Sequence, residues 1–179
     1  MPTYEQIKSE IEKIVACSYG TTDLAHAQGV LDWVLKMKPD ADDAMKIAAF
    51  GHDIERGVLM EKRPNSKDYP SYEEYKIWHA TRCAQIMEET LNKLGCEKDF
   101  VARVKYLVQN HEVGGDSETD VIKDADSISF LIDNLDYYLL HKGVKDTRAK
   151  VEYMYNRMTD AGKKIAKELY DKVLIKLSV

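Results

Sequence analysis

Apolar residues recur along this chain at the three- and four-residue spacing of helix faces almost from end to end. No stretch of useful length alternates apolar and polar positions as a half-buried strand would. The period predicts a first helix over residues 3–19, closed by Gly20. Thr22 or Asp23 caps a second, which runs to Lys38 ahead of Pro39. A third covers 40–56 and ends at Gly57, and a polar loop with two prolines follows over 58–70. Ser71, with Glu74 three residues on, reads as a capping box that opens a long fourth helix to Leu94, stopped by Gly95. A fifth covers 97–110 and leads into a short glycine-bearing loop, 113–117. A sixth spans 118–140 and stops near Gly143, and residues 146–177 supply one or two more. The predicted fold is all-α, a bundle of about seven or eight helices. It forms one domain over 1–179, with no internal repeat and no low-complexity linker to divide it.

The 179 residues are enough to bury a real core, and 44% hydrophobic with 32% charged residues marks a globular chain. The net charge of -5 argues against broad nucleic-acid binding, which wants a basic face. A small phosphorylated ligand remains open, since a few local cations suffice to hold one. No apolar run reaches the length of a membrane span, and residues 1–5 carry no charged-then-apolar leader. Cys17, Cys83 and Cys96 lack zinc or redox spacing and read as reduced structural thiols. The expectation is a soluble, cytoplasmic protein with no membrane partner.

Four of the five histidines sit at or beside apolar stripes of four different predicted helices. His111 continues Val101, Val104 and Val108; His26 shares a face with Val30, Trp33 and Met37. His52 lies among the small residues Ala44, Ala48, Ala49 and Gly51. His79 lies beside the stripe Ile77, Ala80, Ala84, Met87, Leu91 and Leu94. One imidazole on an apolar face is ordinarily a hydrogen-bonded core residue. Four of them would leave several polar groups unsatisfied, unless one shared metal centre satisfied them together. Asp53, next to His52, can join such a centre if it lies near the helix edge, because helical neighbours point about 100° apart. His141, near a helix C-terminus, suits the last carbonyls there and falls outside the site.

The order His26, His52-Asp53, His79, His111, Asp126 resembles the HD-domain superfamily of metal-dependent phosphohydrolases. His26, His52, Asp53 and Asp126 match its minimal pattern, and His79 and His111 resemble the additions of its binuclear subset. The likeness runs over residues 22–140. It implies a helical bundle with two divalent metal ions. His26, His52, Asp53 and Asp126 would bind one, and His79, His111 and a bridging Asp53 the other. Nitrogen and oxygen donors suit Mn, Fe, Co, Ni or Zn. At the last ligand, the stripe Val121, Ala125, Ile128, Ile132, Leu135 and Leu139 favours Asp124 on periodicity alone. The family pattern selects Asp126, and Asp124 stays as the alternative.

Two metals suit phosphoester hydrolysis, because a bridging water loses a proton readily and charge on the phosphoryl oxygens is neutralised. The resemblance therefore implies a hydrolase acting on a small phosphoester, with a nucleotide as one option. Catalytic roles would fall to Asp53 and to two cations beside the ligand motifs, Arg56 and Lys123. Lys62, Arg63, Lys67 and Arg82 are further cations near the motifs, each by default an ordinary surface charge. Tyr69, Tyr72 and Tyr75 can stack on a base or pack, with packing preferred. Some nucleotide hydrolases of that superfamily carry an acid three residues after the motif Asp. Here Glu55 stands two residues on and Arg56 three, which speaks against those particular activities. A mixed-valent di-iron oxygenase shares the same ligand order and is the competing expectation. A non-catalytic metal-stabilised module is the third.

Overall fold

The computed structural model describes residues 1–20, 22–59 and 62–178; residues 60 and 61 of the predicted 58–70 loop lie outside them. The described chain is all-helical, with no strand. Its elements are α1 (Tyr4–Val15), α2 (Asp23–Met37), α3 (Asp43–Gly51), the short α4 (Glu55–Leu59) and α5 (Tyr72–Lys93). They continue with α6 (Lys98–Asn110), α7 (Ser117–Ser129), α8 (Leu135–Asn156) and α9 (Asp160–Lys176).

Local chemistry accounts for the starts. The Thr3 hydroxyl accepts from the Gln6 N–H while the Gln6 side chain accepts from the Thr3 N–H, a complete capping box on α1. Asp42 caps α3 by accepting from the Met45 N–H, so the helix begins three residues later than the period predicts. Ser71 accepts from the Glu74 N–H and opens α5 where expected. Asp116 accepts from the N–H groups of Glu118 and Thr119 at the start of α7. The helices bury two apolar clusters. One gathers Ile7, Ile11, Val30, Val34, Phe50, Met87, Leu91 and Val104 from α1, α2, α3, α5 and α6. The other gathers Ile128, Leu131, Val151, Met154, Val173 and Leu177 toward the C-terminal end.

Three departures from the sequence pattern shape the interior. First, the predicted third helix breaks after Gly51: His52, Asp53 and Ile54 form a turn, and α4 restarts at Glu55. Gly57 lets α4 press against the end of α1, since a Cβ there would lie 1.9 Å from the Ile14 carbonyl oxygen. Second, α7 passes into α8 through a π-turn, Phe130–Asn134, whose extra residue rotates the apolar stripe. Ile132, assigned to that stripe, is 50% exposed, and Leu131 is buried in its place. Third, Gly143 has φ 76° and breaks the helical path, but the chain resumes helix to Asn156 rather than entering a loop. In α5 the buried face runs Tyr75, His79, Cys83, Ile86, with Ile77 on the surface, so His79 is on the stripe and not beside it.

Candidate metal centre

Six residues converge where α2, α3, α5, α6 and α7 meet. His26 projects from the first turn of α2 and His79 from the interior of α5. His52 and His111 each end a helix, α3 and α6 respectively. Asp53 follows in the turn after α3, and Asp126 comes from α7. All four rings are buried, and they stack edge to face in a chain. Centroids are 5.2 Å apart for His26–His52, 5.2 Å for His52–His111 and 5.6 Å for His79–His111.

Each ring spends its Nδ1 on an outer partner. The Nδ1–H of His52 donates to the Ala49 carbonyl at 2.8 Å and that of His111 to the Val108 carbonyl at 2.6 Å. His79 Nδ1 donates to the Glu55 carboxylate at 2.8 Å, and His26 Nδ1 to the Ser129 hydroxyl at 3.0 Å. A carbonyl can only accept, so His52 and His111 each carry a proton on Nδ1 and turn Nε2 inward. Carboxylate oxygens lie at the inner nitrogens of the other two rings. His79 Nε2 lies 2.7 Å from Asp53 Oδ1, and His26 Nε2 lies 3.0 Å from Asp126 Oδ1. Among the described residues the Nε2 atoms of His52 and His111 are buried without a hydrogen-bond partner. Two buried nitrogens left unpartnered beside ionised carboxylates call for a cation, a proton or a metal ion, between them. The donor set fits a metal ion. His26, His52 and Asp53 bring one ligand atom each within 4.8 Å of one another, as do Asp53, His79 and His111, and His111, Glu112 and Asp126.

The carboxylates are held ionised. Burial would raise Asp53, but Arg56, His52 and His79 keep it well below the usual range. Burial opposes Asp126 in the same way, and Arg157, His26 and His52 overcome it. Burial also lowers His52, yet the negative charges of Asp53 and Asp126 bring its net value above that of a free imidazole.

The six residues predicted to be ligands thus lie together. Asp124, the alternative to Asp126, is buried too but faces away: it accepts from the N–H and hydroxyl of Thr159, the cap of α9. Arg56 reaches the centre, with Nε 2.7 Å from Asp53 and Nη1 3.3 Å from Asp23. Lys123 does not, because its ammonium is engaged by Asp120 at 2.7 Å and the Val113 carbonyl at 3.3 Å. Lys62 and Lys67 are exposed, and Arg82 points to Gln85 and Glu89 along α5. Arg63 turns inward to Glu55 at 2.6 Å. Tyr69 packs against Tyr75 and Trp78, whereas Tyr72 and Tyr75 line a cavity above the centre. That cavity holds about 530 Å³, with His26, Asp53 and Asp126 among its lining residues and Arg56, Arg63, Lys76 and Lys150 supplying cations. His141, set aside on sequence grounds, lines it as well, with its Nδ1–H on the Tyr137 carbonyl as its helix-end position suggests.

The sequence pattern misses Glu112, Arg157 and Lys76. Glu112 is buried 3.2 Å from His111 Nε2 and pairs with both Lys76 and Arg157. Arg157 also pairs with Asp126 and donates from Nε to the Ser127 hydroxyl at 2.8 Å. Adjacency to His111 is the one local signal for Glu112; Arg157 has none.

Fold and site together define an all-helical protein with a buried histidine–carboxylate cluster that could hold metal. Residues 5–175 match the family model described as "Domain of unknown function (DUF4202)", and the chain belongs to that family. No curated protein and no solved structure matches it. Among the described residues no helix is long and apolar enough to cross a membrane, and Cys17, Cys83 and Cys96 are unpaired.

Proposed function

We propose that this protein is a metal-dependent phosphohydrolase of the HD type, acting on a small phosphoester such as a nucleotide. The observation that carries the reading is the inward turn of four Nδ1-anchored imidazoles onto two shared carboxylates, at a cavity supplied with cations. His26, His52, Asp53 and Asp126 would hold one ion and His79, His111 and Asp53 a second, drawn from Mn, Fe, Co, Ni or Zn. Such ions supply Lewis acidity and an activated water when bound. The protein's own groups do the rest. Glu55 fixes the tautomer of His79, and the Ala49 and Val108 carbonyls fix those of His52 and His111. Arg56 locks Asp53 in place and presents positive charge to the cavity, where it would steer a phosphoryl group. Lys123 is given no role. Three unpaired thiols fit a reducing, cytoplasmic setting.

Metal analysis of protein purified without oxygen tests this directly. The expected result is about two ions per chain, with phosphate released from a chromogenic phosphoester. Asp126→Ala should lose metal, and Asp124→Ala should keep it while weakening the cap of α9. Unchanged metal content in His79→Ala and His111→Ala would remove the second ion. Two irons with dioxygen uptake and no phosphate release would replace hydrolysis by the di-iron oxygenase reading. Bound metal with neither activity would leave a metal-stabilised module.

A further inference from the structure

We propose that Lys150 and Tyr72 form an anion subsite in the cavity wall that takes a phosphate-type dianion. This deepens the phosphohydrolase reading and rests on the same cavity being the functional one. The subsite follows from a charge inventory of the wall's cations other than Lys142, which is exposed to solvent. Arg56 is matched by Asp53 and Asp23, Arg63 by Glu55, and Lys76 by Glu112. Among the described residues Lys150 has no such match. Its described contacts are the Tyr72 hydroxyl, to which it donates at 3.0 Å, and three aromatic faces. The ring centroids of Tyr153, Tyr72 and Phe130 lie 5.0, 5.3 and 5.5 Å from its Nζ. Aromatic faces attract an ammonium but leave its charge uncompensated. Burial, then repulsion from Lys76 and Arg157, push Lys150 below the ordinary lysine value, so the site favours an added negative charge.

The donors suit a tetrahedral dianion better than a carboxylate. Lys150 has N–H groups beyond the one given to Tyr72, and Tyr72, accepting there, keeps its own O–H to donate. Lys76 lines the same cavity, with its charge held by Glu112. The lysine comes from the half of α8 beyond the Gly143 break, whose buried residues are Thr147, Val151 and Met154. None of this lies in the histidine–aspartate motif.

Calorimetric titration of the full chain, as purified and with metal content measured first, would use inorganic phosphate as the probe and acetate as the comparison. Wild type should bind phosphate in preference to acetate. Lys150→Gln should weaken phosphate roughly tenfold or more, the loss expected for a hydrogen bond to a charged group. Tyr72→Phe, which keeps the ring, should weaken it less, and Lys150→Arg should retain it, all at unchanged metal content. Wild-type affinity in both Lys150→Gln and Tyr72→Phe, or equal binding of acetate, overturns the subsite. The two proposals fail separately. Phosphate binding that depends on Lys150 without hydrolysis keeps the subsite and removes the hydrolase; hydrolysis with Lys150-independent phosphate binding does the reverse.

Discussion

Arg157→Met tests how the charges of the centre are balanced. The Arg157 guanidinium forks between Glu112 and Asp126 and ties them to Ser127. All three charged side chains are at most 9% exposed, so their charges are poorly screened. Breaking one buried ion pair by removing a partner costs about 3–5 kcal/mol. Here two pairs break but share one guanidinium, and both acids keep other partners, Lys76 for Glu112 and His26 for Asp126. The two losses therefore do not add, and about 3–5 kcal/mol is the expected total. For a chain of this size that lowers the melting temperature by roughly 6–20 °C. The assay is urea and thermal unfolding in the presence of a chelator, repeated with a divalent metal. Asp126 and Glu112 lie within 4.8 Å of His111 as a possible ligand group, so a bound ion would replace part of the missing charge. The destabilisation should shrink with metal. A loss below about 1 kcal/mol, or an identical loss with and without metal, would refute this charge balance.

Two further outcomes follow from single contacts. Glu55→Gln keeps the shape but weakens the acceptor for His79 Nδ1–H, 2.8 Å away, so metal affinity should fall roughly 10–100-fold in chelator competition; unchanged affinity would contradict the anchoring role. Asp116 is lowered from 3.8 to about 2, first by the Tyr106 hydroxyl and then by the Thr119 N–H. Its folded value lies below its unfolded one, so the stability it contributes is present above pH 3.8 and is lost as pH falls toward about 2. Asp116→Ala should cost about 1 kcal/mol at pH 7 through the lost cap, and a cost just as large at pH 2, read by denaturant unfolding, would contradict it.

What the sequence reveals of this protein is what one helix can encode. Ser71, Gly95 and the apolar spacing place α2 and α5 closely, because caps and stripes act within a few residues. The cap expected at Thr22 or Asp23 does not form: Thr22 makes no side-chain cap bond and its hydroxyl accepts from Asn134. The histidines are visible for the same reason: each falls on the buried face or inner end of its own helix. The break after Gly51 is not visible, since Ile54 is as buried as Ala48 and continues the helical period. The contact made after the break is tertiary, the close approach of Gly57 in α4 to the Ile14 carbonyl. That break matters to the site, because the backbone turn is where His52 and Asp53 leave helical register and face the same interior.

Arg56, three residues after Asp53, is a legible counter-charge; Lys76 and Arg157 are legible least of all, and the reason is separation along the chain. Arg157 stands 45 residues from Glu112 and 31 from Asp126, so no local pattern links it to either. Asp124 shows the converse. It is buried as its place on the stripe implies, yet its oxygens face Thr159, 35 residues away. Periodicity reports that a carboxylate is buried; only its distant partner decides whether it caps a helix or faces a cation. Asp124 and Asp126, two residues apart on one helix, divide on that point alone. The imidazoles of the centre are therefore a property of single helices, and the charge that surrounds them is a property of how α4, α5, α7 and the end of α8 meet around them.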